Sequence, residues 1–283
     1  MKLKLCDAES LDIVKTFECG QCFRWNADEN GAYRGVVSGY YAEVCVEDSV
    51  VYITSDAPET LWTEYFDLGT DYACISSAFT GEYLKACTEY GMGIRILRQE
   101  SWEALCSFII SQCNNISRIK GIVERLCESF GDEIIVGEKT YYSFPTAQKL
   151  AALEPEELAC IRSGYRAEYI IAAARAVAGG QLDLEALKVC GYKDAIKALR
   201  SIRGVGEKVA NCVVLFGLWH TEAFPVDVWM KRALKENFPA DFDPESLGKY
   251  AGLAQQYIFY YARSKGKDKR SISFSPPIWT ALR

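Results

Sequence analysis

Between Leu199 and Leu234 the chain reads LRSIRGVGEKVANCVVLFGLWHTEAFPVDVWMKRAL, and this stretch limits its possible folds most strongly. Ala195, Ile196, Leu199 and Ile202 recur at helical spacing before a Gly204-Val205-Gly206 corner. Glu207 begins a second helical run whose buried face is Val209, Cys212, Val213 and Phe216. Glycines on both sides of Val205 allow positive φ and close approach of another backbone. The spacing therefore predicts two helices joined by a tight hairpin. The first N–H groups of the second helix have no partner within it, and with the helix dipole they form a site for phosphate. Taken alone, the glycines serve equally well as a packing corner with no ligand.

Lys208 falls in the first turn of the second helix, and Asp227 follows in Phe224-Pro225-Val226-Asp227. A lysine in that place can simply contact phosphate. Asp227 can simply cap the helix Val228–Asn237. A neutral lysine amine can also attack a sugar carbon and form a Schiff base. A carboxylate beside it would stabilise the cationic sugar that develops.

Taken together, Ile202-Arg203-Gly204-Val205-Gly206-Glu207-Lys208-Val209-Ala210 and Pro225-Val226-Asp227 resemble the helix-hairpin-helix, Gly/Pro-Asp superfamily of DNA base-excision glycosylases. In that family a lysine here marks the bifunctional branch, which removes a base and then cleaves the strand. Proline usually stands where this chain has Arg203, so the corner loses rigidity and gains a cation. The resemblance makes Lys208 and Asp227 the catalytic pair and places Gly204 and Gly206 against the DNA backbone.

Four further motifs extend the resemblance, specifically to 8-oxoguanine DNA glycosylases. Gly20-Gln21-Cys22-Phe23-Arg24-Trp25 resembles their N-terminal signature. Guanine N7 is a hydrogen-bond acceptor, and oxidation at C8 makes it a donor. A discriminating site then needs an acceptor pressed close, and by the resemblance the Gly20 carbonyl supplies it. Asn114-Asn115-Ile116-Ser117-Arg118 reads by itself as a capped turn between helices; by the resemblance Asn114, Asn115 and Arg118 contact the cytosine left unpaired. The family has a third asparagine where this chain has Cys113, which weakens the expectation of strict cytosine selectivity. Gly164-Tyr165-Arg166 follows a helix starting at Pro155, with Gly164 as its expected C-cap. The resemblance makes Tyr165 an aromatic wedge beside the flipped base, with Arg166 alongside. In Leu253–Tyr261, otherwise an aromatic core helix, it assigns Gln255 to the edge of the base and Phe259 to its face. Cys212 would stack on the opposite face, and Phe216 would line the pocket one turn further along. Trp229 stands where many relatives have a phosphate-binding histidine; its indole can still donate one hydrogen bond.

A net charge of −6 argues against indiscriminate binding to nucleic acid. Locally the sign reverses, with eight cations against four anions between Lys193 and Lys235 and a further basic run from Ser264 to Arg270. A basic face on an acidic body suits few phosphate contacts and recognition of local shape. The twelve cysteines are scattered in mostly apolar context and read as free thiols. Cys19 and Cys22 have CxxC spacing without a second pair, and His220-Thr221-Glu222 lacks downstream cysteines. No metal or cofactor is expected. The segment MKLKLCDAESLDIVK has no signal-peptide apolar stretch, and no apolar run reaches membrane-spanning length.

The expected fold class is α+β. Residues 1–93 should form an N-terminal, TBP-like domain whose antiparallel sheet contains Ala32–Val37, Tyr40–Glu47 and Val50–Thr54, with helices over Pro58–Leu68 and Ile75–Tyr90. Gly91-Met92-Gly93 should be the hinge. Residues 94–283 should form a larger all-α helix-hairpin-helix glycosylase domain. The expected activity is excision of 8-oxoguanine opposite cytosine from double-stranded DNA, followed by strand cleavage at the abasic site. A monomer is expected, in the cytoplasm: with the nucleoid in a bacterium, or in the nucleus of a eukaryote. The rival readings are a glycosylase for other damaged bases and a non-catalytic DNA-binding module.

Overall fold

The computed structural model describes residues 1–272, with side chains through Lys265. The side chains of Lys267, Lys269 and Arg270 and the Pro276-Pro277 tail lie outside the described residues. The chain opens with β1 (Lys2–Asp7), α1 (Ile13–Glu18), β2 (Asn26–Ala27), β3 (Tyr33–Val37), β4 (Tyr40–Glu47) and β5 (Val50–Ser55). These strands form one antiparallel sheet in the order β1-β5-β4-β3-β2. The meander is the one the alternating runs predict, and β1 adds an edge strand that the sequence reading did not assign. Alternate residues Ala42 and Val44 on β4, and Val51 and Ile53 on β5, are fully buried. They meet a second layer containing Phe17, Trp25, Trp62 and Phe66, in which Phe17 stacks on Trp25 at 4.5 Å.

Short helices follow: α2 (Glu59–Tyr65), α3 (Tyr72–Ser77) and α4 (Glu82–Gly91). The expected single helix over Ile75–Tyr90 is therefore two, because Gly81 takes φ +91 between them and Asp71 caps the first. By packing, α3 and α4 belong to the helical body: Tyr72 and Ile75 pack against its core, and Leu84 and Cys87 share it. Gly93 is held firmly, with its carbonyl accepting from the Asp12 amide at 2.8 Å and the Thr16 hydroxyl at 3.3 Å.

The body comprises α5 (Ser101–Ile110), α6 (Ile116–Phe130), β6 (Glu133–Val136), β7 (Lys139–Tyr142), α7 (Ala147–Ala151), α8 (Arg166–Ala178), α9 (Leu184–Val189), α10 (Tyr192–Arg200), α11 (Glu207–Phe216), α12 (Val228–Asn237) and α13 (Ala251–Ile272). Two differences from the sequence reading stand out. The helical region is not purely α: β6 and β7 pair as a two-stranded ribbon too short for periodicity to distinguish from a loop. The run from Pro155 is a 3₁₀ helix ending at Ile161. Its left-handed cap is Arg162 at φ +58, not Gly164. Helix α11 runs through the centre of the body, every residue from Val209 to Phe216 being buried. Among the described residues no helix is long and apolar enough to cross a membrane.

Candidate active site

A cleft of about 480 Å³ opens where the Gly20 turn, the end of α5, the start of α6, α11, α12 and α13 converge. Its lining includes Gly20, Phe108, Asn114, Ile116, Lys208, Asp227, Trp229 and Phe259. Residues far apart in sequence are thus brought to one cavity.

The α10–α11 hairpin sets one wall. Gly204 takes φ +86, and a Cβ there would lie 2.2 Å from the ring of Tyr169, so both backbone conformation and packing require glycine. The Gly204 carbonyl accepts from Gln112 Nε2 at 3.0 Å, which ties the corner to the loop after α5. Gly206 is the N-cap of α11 and makes no side-chain cap, so the first amides of this helix receive no capping oxygen from it. Lys208 extends from that first turn. Its Nζ lies 3.5 Å from Ser111 Oγ and 5.5 Å from the centre of the Phe108 ring. Asp227 accepts the Met230 amide at 2.9 Å and caps α12. The capping role therefore holds, and it orients a carboxylate that also borders the cleft.

The opposite wall is the Gly20 turn. Gly20 takes φ +86; a Cβ there would stand 3.2 Å from Ile116 Cδ1 and 3.5 Å from Phe259 Cε1. Phe259 therefore lies directly against the glycine. Trp229 and Phe23 complete this end.

Other predicted residues stand behind the lining. Phe216 is buried and stacks on Phe108 at 5.4 Å, and it is Phe108 that faces the cleft. Cys212 is buried one helical turn beyond Lys208, where burial pushes its thiol pKa up against the opposing charge of Lys208. Gln255 is buried, its amide donating to the Pro225 carbonyl at 3.1 Å while its oxygen accepts from Gln256. Cys212 and Phe216 were placed by helical spacing and Gln255 by the resemblance, and neither says which neighbour intervenes.

Of the remaining candidates, Asn115, Arg118 and Tyr165 face outward. Asn115 caps α6 by accepting the Arg118 amide at 2.9 Å, and Asn114 donates to the Ile110 carbonyl at 3.3 Å. Arg118 is exposed, and Tyr165 is 51 % exposed. Arg166 is placed differently from the expected position beside a wedge. It is buried, bonding the carbonyls of Gln112 and Ser163 with its guanidinium 4.5 Å from the Tyr165 ring. It braces the tyrosine from inside. The basic face is also less bare than its sequence suggests. Lys193, Arg200, Arg203 and Arg232 pair with Glu245, Glu207, Glu168 and Glu236.

Among the described residues no group of three His, Cys, Asp or Glu side chains could hold a metal ion. Cys19 and Cys22 are buried, and burial pushes the Cys19 thiol up to about 12. Sequence reasoning missed Phe108, Ser111, Gln112 and Ile116 as lining residues. Phe108 sits in the apolar helix Ser101–Ile110, where nothing in the sequence separates it from its buried neighbours.

An N-terminal sheet, a glycine-cornered helix pair and a cleft holding a lysine and an aspartate define the class. Residues 4–105 match the family described as 8-oxoguanine DNA glycosylase, N-terminal domain. Residues 106–247 match the HhH-GPD superfamily of base excision DNA repair proteins, and the chain belongs to that superfamily. The N-glycosylase/DNA lyase of Saccharomyces cerevisiae is 33% identical over 260 residues, covering 81% of this chain and 68% of the relative. The N-glycosylase/DNA lyase OGG1 of Arabidopsis thaliana is 29% identical, covering 98% of this chain and 83% of the relative. Among solved structures, the Clostridium acetobutylicum 8-oxoguanine glycosylase/lyase superimposes with a TM-score of 0.86 at 35% identity. The match covers 94% of this chain and 98% of that one. That protein was solved with double-stranded DNA containing cytosine opposite 8-oxoG.

Proposed function

We propose that this protein excises 8-oxoguanine from double-stranded DNA and then cleaves the strand at the resulting abasic site. The observation that carries this reading is the placement of Lys208, Asp227, Gly20 and Phe259 around one cleft. The duplex would lie across the α10–α11 hairpin, with a phosphate at the first amides of α11. Tyr165 would occupy the gap left in the stack, and Asn114, Asn115 and Arg118 would meet the opposing base, a cytosine by preference. The extruded purine would lie on Phe259 with its N7–H against the Gly20 carbonyl. Contact with Gln255 would use its second N–H, since the first is held by the Pro225 carbonyl.

Asp227 stabilises positive charge at the sugar as the bond between N9 and C1′ breaks, its electrons leaving with the base, which takes up a proton. The Lys208 lone pair forms the new bond to C1′, and ring opening gives an imine. Loss of a C2′ proton then expels the 3′ phosphate, and water hydrolyses the imine to return the lysine. The protein would act as a monomer wherever the cell holds its DNA, nucleoid or nucleus. The division at residue 93 would hold along the sequence but not in packing, since α3 and α4 pack with the second part.

Borohydride trapping on a duplex containing 8-oxoguanine tests this. The parent should yield a covalent adduct and Lys208→Gln none. An adduct that persists in the variant removes Lys208 from the chemistry. A parent that leaves 8-oxoguanine in place while releasing another damaged base moves the enzyme to a different substrate.

A further inference from the structure

Gly20 carries no side chain by which its position could be anchored, so whatever fixes its carbonyl must act through its neighbours. Gln21 is fully buried. Its Nε2 donates to the carbonyls of Thr16 at 3.0 Å and Arg95 at 2.8 Å, and its Oε1 accepts the Leu97 amide at 2.8 Å. The next peptide is held from outside: the Gln21 carbonyl accepts from Gln99 Nε2 at 2.7 Å. The backbone N–H of the same Gln99 donates to the Phe216 carbonyl at 3.1 Å, in the last turn of α11. Helix α11 is the helix that carries Lys208.

Building on the proposed function, we propose that Gln99 is a positioning residue that sets the Gly20 carbonyl in register with the lysine helix, and so controls recognition of the oxidised base. Its main chain is tied to α11 and its side chain to the glycine turn. One residue thus spaces the group that reads the purine from the group that attacks the sugar. Without its amide, the Gln21 peptide loses its only side-chain donor among the described residues, and the turn gains freedom along the direction in which it meets N7–H. Discrimination by a single carbonyl depends on tenths of an ångström, because a hydrogen bond weakens steeply away from its preferred distance and angle. Gln99 is half-buried, so an apolar residue of similar length fits there, and what the substitution removes is the donor to the carbonyl of buried Gln21.

The test uses Gln99→Met with two substrates in the same duplex sequence. Excision of 8-oxoguanine needs the carbonyl in place. Cleavage at a preformed abasic site needs Lys208 but no base. The expected result is a fall of about tenfold in kcat/KM for excision, the scale of one net hydrogen bond in a transition state. Abasic-site cleavage and borohydride trapping should stay within about twofold of the parent. Parallel loss of both activities would show a general structural role and overturn the proposal, as would full retention of excision. Failure of the parent itself to release 8-oxoguanine would instead remove the function on which the proposal rests.

Discussion

The two sides of the cleft are built differently. The Gly20 wall is braced through the residues on either side of the glycine. Gln21 bonds three main-chain groups, Gln99 grips its carbonyl, and Lys120 and Arg263 reach the preceding Glu18 from α6 and α13. The outer rim is braced more lightly, chiefly through the contacts of the Tyr165 ring with Arg166 and Tyr169. Tyr165 is 51 % exposed, Arg118 is exposed, and Arg203 pairs with Glu168 at the surface. The difference follows from the two tasks. Telling an N–H from a lone pair on one ring atom requires an acceptor that does not move, so its cost is met during folding. Meeting a duplex that bends as a base leaves it requires side chains that can still adjust.

Three expected outcomes would break or sharpen this contrast. Gly20→Ala should have the largest effect. It forces alanine to φ +86 and brings a methyl group 3.2 Å from Ile116. The left-handed conformation alone costs about 1–2 kcal/mol, and crowding against Phe259 adds to it, so excision should fall roughly a hundredfold. Steady-state excision with thermal denaturation as a control would check this. Near-parent activity would show that the wall yields after all.

The second concerns what stands behind that wall. Arg24, in the same motif as Gly20, reaches across to the Val36 and Tyr142 carbonyls and pairs with Glu103 at 3.4 Å. Burial raises the Glu103 carboxyl to about 7 against the attraction of Arg24. A glutamate in an unfolded chain titrates near about 4.3. Between those values the folded state holds a proton that the unfolded state has lost. Stability from this residue is therefore complete at low pH and declines as pH rises through about 7. Urea unfolding at pH 5 and pH 8 should show that decline, and Glu103→Gln should flatten it. An unchanged slope in the variant would exclude Glu103 as its source.

The smallest effect is expected at the rim. Arg118→Ala should leave excision opposite cytosine within about tenfold, an exposed contact to one base being worth about 1 kcal/mol, and should narrow the spread among the four opposing bases. Single-turnover rates against each opposing base would show it. A large stability loss would mean that the rim is braced like the wall.

Much of this was readable before any coordinates. The Gly204 and Gly206 corner, the alternation in β4 and β5 and the cap at Asp227 are local features, and local sterics and hydrogen bonding decide them. The Gly-Gln-Cys-Phe-Arg-Trp run and Lys208 were legible as chemistry through resemblance. What stayed hidden depended on contacts between distant segments. Spacing on α11 placed Phe216 near the cleft but could not reveal that Phe108 stands between them. Arg166 and Arg118 are the same residue type, each in the first turn of a helix, yet one is buried under Tyr165 and the other is exposed. The bond from Gln99 to Gln21 spans 78 positions and leaves no periodic trace. A sequence determines its helices, strands and turns through neighbours along the chain. Which side chain lines the cavity, which braces it and which remains free is decided only when those elements compete for the same space.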